Sequence, residues 1–405
     1  MQRRSLLTAG PVLAVSALAA PAAAALTLPI RSNTTTTTTT TTSTAKSQPT
    51  IFDFGAKGDG VTDDSAAFNA ALAAAAARGQ VIFVPSYTYA IANPIVFYTS
   101  ANAVQPWGLA GMGATLLSKI TNGADVLSLT SNATVRYLTL SGMKIQCSGS
   151  DGNGLHISAL SSSVFFYNIV IDAISIENAG KHGLLFEGNV FESSITNSYF
   201  QDSKQNGATF ACSHGGVCSA INIVNCYFNQ NGGSGLVCTN FDSQYGGTTD
   251  VRVYGGYCRD NQQFGFYYNN GTNGAAIEQV GFENNSRQLS PGDPNGAHVY
   301  ALSSMKMRDC NGYNMYGGAT YLLRGWFTGL TILDGCNQQA DGAMAATGLS
   351  RLVQVSGSNT GNVLMTACTG GVDSVAGTAC TWQAVNCSGP SPSGALNVRG
   401  TVASL

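Results

Sequence analysis

The sequence predicts an all-β solenoid of stacked parallel strands, because two short strand motifs recur in register and glycine and asparagine mark the corners between them. The first motif, x-Gly-apolar-x-apolar, occurs six times at spacings of 24 to 31 residues. Repeats of this length that lack a helical period are typical of coils that bury one continuous core only when stacked. The six glycines are Gly154, Gly183, Gly207, Gly235, Gly265 and Gly296.

The second motif is a strand between successive glycines, and its first and sixth residues form two apolar columns. β-Branched and aromatic residues dominate both columns, which favours strands over helices. Neighbouring coils should then lie about 4.8 Å apart. The first column is Ile171, Ile195, Ile223, Val253, Ile277 and Met305, and the second is Ile176, Phe200, Phe228, Cys258, Phe282 and Cys310.

The chain divides into three predicted segments. Residues 1–25 have twin arginines, an apolar run and an A-x-A pattern, which predict a twin-arginine-like export signal. Residues 26–49 include nine consecutive threonines and predict a linker. Residues 50–405 form the solenoid, with the last coils and a cap from about residue 325. We therefore expect a protein that is secreted, periplasmic or on the cell surface, without stable membrane insertion.

Composition narrows the partners of the solenoid. Only 10% of the residues are charged and the formal net charge is −2. A chain without a basic patch is a poor ligand for phosphates, so we expect no nucleic acid partner. A polysaccharide partner suits this Asn-rich and aromatic-rich surface.

The eleven cysteines support two predictions. Cys238, Cys258 and Cys310 fall in apolar columns and are predicted to be buried thiols. Cys212 and Cys218 flank a glycine-rich turn, so they are the best candidates for a disulfide in an exported chain. An alternative places zinc on Cys212, His214 and Cys218, although the paired spacing of zinc ligands is missing.

The acid-rich stretch "GDGVTDD" precedes a predicted helix. Thr62 or Asp63 can N-cap a helix that starts at Asp64, and Phe68 and Leu72 share one face of it. We expect this helix to cover the open end of the first coil. The alternative is a catalytic role for the acids, which are Asp59, Asp63 and Asp64.

The stretch "FDFGAKGDGVTDDSAAFNAAL", followed by "GQVIFVPSYTYAI" from Gly79, resembles the N-terminal part of the pectate-lyase-like superfamily, which includes rhamnogalacturonase and epimerase-like proteins. The resemblance implies a right-handed parallel β-helix that acts on or binds polysaccharide outside the cytoplasm. The superfamily contains hydrolases, lyases, epimerases and tailspike-like proteins, so the resemblance alone selects no reaction.

The residue before each coil glycine gives a test of one branch of the superfamily. "KHGLLFEG" from Lys181 resembles the Gly-His-Gly motif of polygalacturonases, with His182 at the position of the motif's histidine. The partner carboxylates of that motif are missing from this column, and Asn153 stands where an acid would be needed. His182 is therefore predicted either to bind substrate or to be a turn residue.

The acids that repeat in register lie near the end of the second strand. Asp202 and Asp260, two coils apart, are the predicted catalytic carboxylates, with His298 expected one coil further on, facing outward in the column of His156. The alternative is a structural ladder of corner residues made of Asn178, Asp202, Gln230, Asp260 and Asn284. The predicted substrate-binding residues are Arg259, Tyr267, Glu283, Arg287 and His182.

The sequence thus predicts an exported hydrolase or lyase of a polysaccharide, with a non-catalytic glycan-binding or tailspike-like protein as the alternative. Ca²⁺ is an expected cofactor only if the enzyme is a lyase, since uronate lyases often use it to neutralise the substrate. The sequence leaves the oligomeric state undecided, and a homotrimer is one option because tailspike β-helices form trimers.

Overall fold

The computed structural model describes residues 48–241, 248–269, 274–290, 293, 295–314, 319, 321–327, 329–340, 351–355, 362–374 and 381–387. The predicted signal and most of the predicted linker lie outside the described residues. The predicted C-terminal cap is described only in part.

Strands make up nearly all of the regular structure. In the part of the chain that the structure describes, a 3₁₀ helix, Ile51–Phe54, and one α-helix, α1 (Ser65–Arg78), precede most of the strands. Within the described residues, 21 strands belong to the first sheet and 11 to the second sheet.

The strands of the first sheet are β1 (Asp59–Asp63), β2 (Val81–Val84), β3 (Thr88–Ile91), β5 (Trp107–Ser118), β7 (Val135–Arg136), β8 (Leu138–Gln146), β10 (Phe166–Tyr167), β11 (Val170–Asp172), β12 (Ser175–Glu177), β14 (Val190–Thr196), β15 (Tyr199–Gln201), β17 (Cys218–Asn229), β19 (Thr249–Arg259), β21 (Ala275–Glu278), β22 (Gly281–Glu283), β24 (Met305–Arg308), β25 (Asn311–Asn314), β27 (Leu330–Asp334), β28 (Asn337–Ala340), β30 (Asn362–Thr366) and β32 (Thr381–Val385). The strands of the second sheet are β4 (Ile95–Thr99), β6 (Leu127–Ser131), β9 (Leu155–Ala159), β13 (Leu184–Glu187), β16 (Ala208–Cys212), β18 (Leu236–Asn240), β20 (Phe266–Tyr268), β23 (Ala297–Ala301), β26 (Tyr321–Gly325), β29 (Arg351–Val355) and β31 (Gly371–Ser374).

Each coil adds one strand to the second sheet and one or more to the first, and these pair in parallel with the next coil. Ile171 pairs with Ile195 and Ile195 with Ile223, as predicted. Ile176, Phe200 and Phe228 form the second predicted column. These side chains are buried in one core that runs through the molecule. The fold is the predicted right-handed parallel β-helix.

The predicted register fails at the last repeat, where it is wrong by two residues. Ile277 pairs with Met307 rather than Met305, and Phe282 pairs with Gly312 rather than Cys310. The alignment by Gly296 misplaced this coil, since a longer connection precedes it. Side chains of a strand alternate between the two faces with a period of two, so a shift by two residues leaves the same side chains pointing into the core.

The corners explain the recurring polar residues near the ends of the second strands. Positive φ angles mark this corner on successive coils, a conformation that Asn and Asp tolerate better than most residues. Next to the corner, the buried amides of Asn231, Asn261 and Asn285 hydrogen-bond in a ladder, with N–O distances of 2.9 and 2.8 Å. The positive-φ residues are Asn178 (62°), Asp202 (56°), Gln230 (56°), Asp260 (57°) and Asn284 (50°).

The predicted Cys212–Cys218 disulfide is wrong, because both thiols are free and buried, as are the other eight described cysteines. The Cys212 sulfur faces the Thr248 hydroxyl at 3.7 Å, whereas the Cys218 sulfur faces the Gly188 carbonyl at 3.5 Å. Each thiol therefore packs against a different neighbouring coil. Cys238 lies in the column of Phe210, as predicted. Cys258 pairs with Phe282, but Cys310 follows a corner residue instead, as Cys336 and Cys368 do.

Helix α1 covers the first coil. Its buried face consists of Phe68, Ala71, Leu72 and Ala75, all fully inaccessible to solvent. The predicted start is one residue early, because the helix begins at Ser65 and Asp64 is its N-cap residue. No helix in the described part of the chain is long and apolar enough to cross a membrane.

The acids before α1 bond to the local backbone, which favours the capping interpretation. Asp64 is buried and accepts the N–H groups of Lys57 at 2.6 Å and Gly58 at 3.1 Å. Asp59 accepts the N–H of Thr62 at 2.7 Å, and Asp63 accepts the N–H of Ala92 at 3.1 Å. These carboxylates fix the turn that brings the helix onto the first coil.

Replacing Asp64 tests this capping role. We expect Asp64→Ala to lower the free energy of unfolding by about 3 kcal/mol, since the buried N–H of Gly58 and the part-buried N–H of Lys57 lose a charged acceptor. Urea unfolding followed by circular dichroism measures the change. The control Asp59→Ala removes an exposed acid of the same stretch and should have a much smaller effect. Equal stability of the Asp64 variant and the wild type would contradict the capping role.

Candidate functional site

A histidine held between two carboxylates lies on the outer face of the second sheet. His156 Nδ1 is 2.8 Å from Asp125 Oδ2, and His156 Nε2 is 2.8 Å from Glu187 Oε2. Each of the three side chains keeps between 16% and 19% of its surface exposed. The three residues come from three successive coils, so the β-helix itself brings them together.

The strands explain this placement. His156 is the second residue of β9, where the inward Leu155 and Ile157 flank it, and it pairs with Leu185 of β13. Glu187 is the last residue of β13, two positions beyond Leu185 on the same face. Asp125 directly precedes Val126 at the start of the β6 coil. The N–H and the side-chain amide of Asn153 donate to Asp125 Oδ1 at 2.7 and 2.9 Å and fix its orientation.

The hydrogen bonds determine the charge of His156. Only the imidazolium form donates from both ring nitrogens, so two carboxylate acceptors favour it. Burial alone would lower the pKa of His156, but the bonds to Asp125 and Glu187 outweigh it and raise this pKa to about 9. The bond from His156 also lowers the pKa of Glu187. Burial would raise the pKa of Asp125, yet the bonds from His156 and Asn153 hold it below its ordinary value.

His182 lies beside this group in the opposite protonation state. Burial and, to a smaller extent, the charge of the neighbouring Lys181 together lower the pKa of His182 to about 4. Its Nδ1 faces the Thr209 hydroxyl at 3.2 Å, and that oxygen accepts the Asn206 side-chain amide at 3.0 Å. The Thr209 proton then points to Nδ1, so the proton of neutral His182 is assigned to Nε2.

We call Asp125, His156, Lys181, His182 and Glu187 the histidine cluster. In this cluster His156 is a proton donor that is charged at neutral pH, and Asp125 and Glu187 are ionised proton acceptors. His182 provides a neutral N–H donor, and Lys181 provides an exposed ammonium group. Environments that push the pKa values of neighbouring groups apart are typical of acid–base sites.

The structure gathers four of the sequence-predicted site residues elsewhere, around a corner. Asp260 lies 3.2 Å from Arg259 and 3.5 Å from Arg287. Glu283 pairs with Arg259 on the next strand and accepts the Tyr257 hydroxyl at 3.0 Å. Asp260 also accepts the Asn284 amide at 2.6 Å. The Asp260 carboxylate is thus occupied by neighbouring side chains.

Asp202 lies two coils from Asp260, as predicted, because Gln201, Asn229 and Arg259 pair in sequence. Its side chain is largely exposed, but partial desolvation and the charge of Glu177 raise its pKa. The backbone of both aspartates is that of the corner ladder, the alternative interpretation. A catalytic role for Asp202 and Asp260 stays a prediction.

The predicted position of His298 is wrong. Phe266 pairs with Val299, which places His298 level with Gly265 rather than in the column of His156. A side chain at the coil glycines points into the core, and His298 is accordingly fully buried, 6.0 Å from the Phe282 ring. Burial lowers its pKa to about 3. A buried neutral histidine cannot reach a groove on the surface.

Of the predicted binding residues, His182 belongs to the histidine cluster, and Tyr267 lies on the same outer face of the second sheet. The sequence pattern did not predict Asp125 as the carboxylate of this face. Asp125 stands in the column of Asn153 and His182 on the preceding coil, but Val126 replaces the coil glycine there. Extending the repeat by one coil without requiring glycine would have found it.

Metal binding does not fit this site. Among the residues that the structure describes, no group of three or more His, Cys, Asp or Glu side chains is arranged to hold a metal ion. Both carboxylates of the histidine cluster bond to His156, so neither offers a free oxygen pair to Ca²⁺. Cys212, His214 and Cys218 do not form the alternative zinc site.

The fold and this exposed face define a β-helix protein with a polar site on its second sheet. The family model "Rhamnogalacturonase A/epimerase, pectate lyase-like" matches residues 50–113, which contain helix α1 and the first coils. This match and the β-helix that follows support the predicted resemblance to the pectate-lyase-like superfamily.

Two curated relatives share sequence with the chain. Mannuronan C5-epimerase AlgE2 of Azotobacter vinelandii is 29% identical over 276 residues, which cover 57% of this chain and 25% of that protein. A glucan 1,3-beta-glucosidase of Cochliobolus carbonum is 49% identical over 59 residues, 12% of this chain and 8% of that protein. The chain therefore spans a quarter or less of the length of these relatives.

Among solved structures, the surface protein and adhesin PfbA of Streptococcus pneumoniae superposes with a TM-score of 0.56. The match covers 88% of this chain and 98% of the PfbA chain at 13% sequence identity. This likeness shows a shared fold alone.

The ion pairs of His156 predict a pH-dependent stability. The folded-state pKa of about 9 exceeds the ordinary value of 6.5, so this contribution is complete below pH 6.5 and is lost as the pH rises through 9. We expect about 3 kcal/mol of unfolding free energy to disappear over this range. Urea unfolding at several pH values measures it.

The variant His156→Gln should lack this loss, whereas His214→Asn, which changes an exposed histidine, should keep it. The same pH dependence in His156→Gln and the wild type would contradict the proposed charge state of His156.

Proposed function

We propose that the protein modifies a uronate-containing polysaccharide by proton transfer, as a lyase or an epimerase, at the histidine cluster. The observation that carries this proposal is the imidazolium of His156 held between two ionised carboxylates, next to a neutral histidine and a lysine. Such an arrangement supplies a proton and accepts one at the same time.

Substrate binding would use two hydrogen-bond donors, the ammonium group of Lys181 and the ring N–H of His182. Lys181 is exposed, and the Nε2–H of His182 is the donor that its other hydrogen bonds leave available. Both groups suit the carboxylate of a uronic acid, and neutralising this carboxylate makes the neighbouring ring proton more acidic. This need for a substrate carboxylate favours a uronate over a neutral sugar.

Proton transfer would proceed through His156. One of the carboxylates, Asp125 or Glu187, accepts the proton from the ring carbon next to the substrate carboxylate. The other receives a proton from His156 and passes it to the substrate. In a lyase, this proton goes to the leaving oxygen as the carbon–oxygen bond breaks. In an epimerase, it returns to the same carbon from the opposite side.

The relay restores itself because the protonated carboxyl group gives its proton back to His156. No proton is gained or lost by the protein in either reaction. A hydrolase fits less well, since it needs a carboxylic acid that stays protonated, whereas the pKa values of Asp125 and Glu187 are lowered. The partial sequence similarity to a mannuronan C5-epimerase supports the same class of reaction.

The second candidate function is glycan binding without catalysis. The exposed Tyr98, the partly exposed Tyr267 and Tyr300 of the second sheet, and the shared fold with an adhesin favour it. We also propose that the protein is exported, for which the arginine pair and apolar run at the N-terminus are the support.

Hydrogen exchange at the sugar ring tests the reaction class directly. We expect polyuronates incubated with the protein in D₂O to lose ring protons next to the carboxylate, as seen by proton NMR, whether the product is unsaturated or epimerised. Reducing ends released from a neutral glucan without exchange would establish a hydrolase instead. Binding without any turnover of a broad polyuronate panel would establish the second candidate.

Variants assign the residues. We expect His156→Gln to lower kcat by about 10²- to 10⁴-fold, because the proton reservoir is lost, while Lys181→Met mainly raises KM. Asp202→Asn is the matched control on another part of the coil and should leave both constants unchanged. Loss of activity in Asp202→Asn, with full activity in His156→Gln, would move the site to the corner aspartates.

A further inference from the structure

Three aromatic rings form a stacked group on the outer face of the second sheet, away from the histidine cluster. The ring centres of Tyr267 and Tyr300 are 5.8 Å apart and their planes differ by 4°. Phe264 stacks on both rings, at 5.8 and 5.0 Å. Arg324 extends this group, with its guanidinium 5.8 Å from the Tyr300 ring. We call these four residues the aromatic platform.

The strand register aligns this platform with the histidine cluster. From His156, the same column continues through Leu185, Thr209 and Val237 to Tyr267, Tyr300 and Arg324. Tyr267 is four strands from His156, which is about 19 Å at the usual strand spacing. Both features therefore face the same side of the β-helix, on one line parallel to its axis.

An exposed aromatic residue also lies on the other side of the cluster. Tyr98 of β4 stands in the column of Glu187, since Tyr98 pairs with Thr130, Thr130 with Ser158 and Ser158 with Glu187. Its side chain is 52% exposed. The histidine cluster thus lies between two aromatic positions on one face.

The chemistry of the platform suits an acidic sugar. Aromatic rings at a surface offer apolar contact to the carbon–hydrogen face of a sugar ring. Arg324 donates from Nη1 to the Asn295 carbonyl at 2.8 Å, while its buried Nε has no hydrogen-bond partner within the described residues. The positive charge of this guanidinium group, next to the Tyr300 ring, attracts a carboxylate at the surface.

We propose that the aromatic platform is a distal subsite that binds a remote part of the same polyuronate chain whose reacting sugar lies at the histidine cluster. This inference rests on the proposed function and adds a substrate property to it. The chain runs along the β-helix axis, and the enzyme prefers long polymers to short oligosaccharides. An oligosaccharide that occupies only the histidine cluster does not reach the platform.

Binding and turnover of long and short substrates test this subsite. The double variant Tyr267→Ala and Tyr300→Ala should bind polyuronate polymer at least about tenfold more weakly than the wild type, since two stacking partners are lost. Its affinity for a uronate disaccharide should not change. KM for the polymer should rise while kcat stays constant. Arg324→Gln, a change that leaves the rings in place, should give the same pattern more weakly.

Two controls separate this inference from the proposed function. Tyr254→Ala removes a 48% exposed tyrosine of β19 in the first sheet and should bind polymer as the wild type does. His156→Gln should bind polymer normally without turnover. Binding measured by affinity electrophoresis needs no catalysis, so it tests the subsite even if no reaction is found. Wild-type polymer binding by the double variant, or an equal loss for the disaccharide, would overturn the distal subsite.

Discussion

The parallel backbone ladder between successive coils is the constraint on which the rest of this structure depends. The described strand pairs run parallel, and apart from shifts within three pairs they keep one register. A side chain therefore has the equivalent residue of the next coil about 4.8 Å away. Apolar residues stack well under this constraint, as the buried column of Ile171, Ile195 and Ile223 does. Like charges at the same spacing repel. A chain with 10% charged residues meets this constraint.

Polar groups enter the columns only where their neighbours complement them. The buried amides of Asn231, Asn261 and Asn285 are neutral, and the Nδ2 of one donates to the Oδ1 of the next. The histidine cluster uses the same spacing with opposite charges. Asp125 and Glu187 come from the coils before and after His156, so one imidazolium lies between two carboxylates that would otherwise repel each other. The ladder supplies this geometry without any additional loop.

The sequence reveals the fold well because the fold is periodic. Each coil repeats the signal for the coil before it, and the apolar columns could be read over five coils with the correct pairings. The sequence prediction is wrong where one coil departs from the period. Val126 replaces a coil glycine and conceals Asp125, and a longer connection before Gly296 misplaces His298 by two residues.

The site was harder to predict than the fold for a further physical reason. Asp202 and Asp260 repeat in register and therefore stand out in the sequence, but repetition at a corner reflects backbone geometry, since each coil needs a residue that tolerates positive φ. The residues of the histidine cluster do not repeat. Leu185 and Thr209 occupy the positions of His156 on the next two coils. In a solenoid, chemistry is expected where the repeat is interrupted.

The charge balance of the histidine cluster constrains how it can recognise a substrate. Asp125 and Glu187 are ionised, His156 and Lys181 are positive and His182 is neutral, so the formal charges of the cluster sum to zero. Under the proposed function, a uronate that approaches from a distance gains little from Coulomb attraction, because both signs lie within a few ångströms of one another and solvent screens the remainder. Affinity must come from short-range hydrogen bonds and ring contacts that form only once the sugar is in place. Because those contacts are directional, they also fix the orientation of the ring, which the proposed proton transfer between two carboxylates requires.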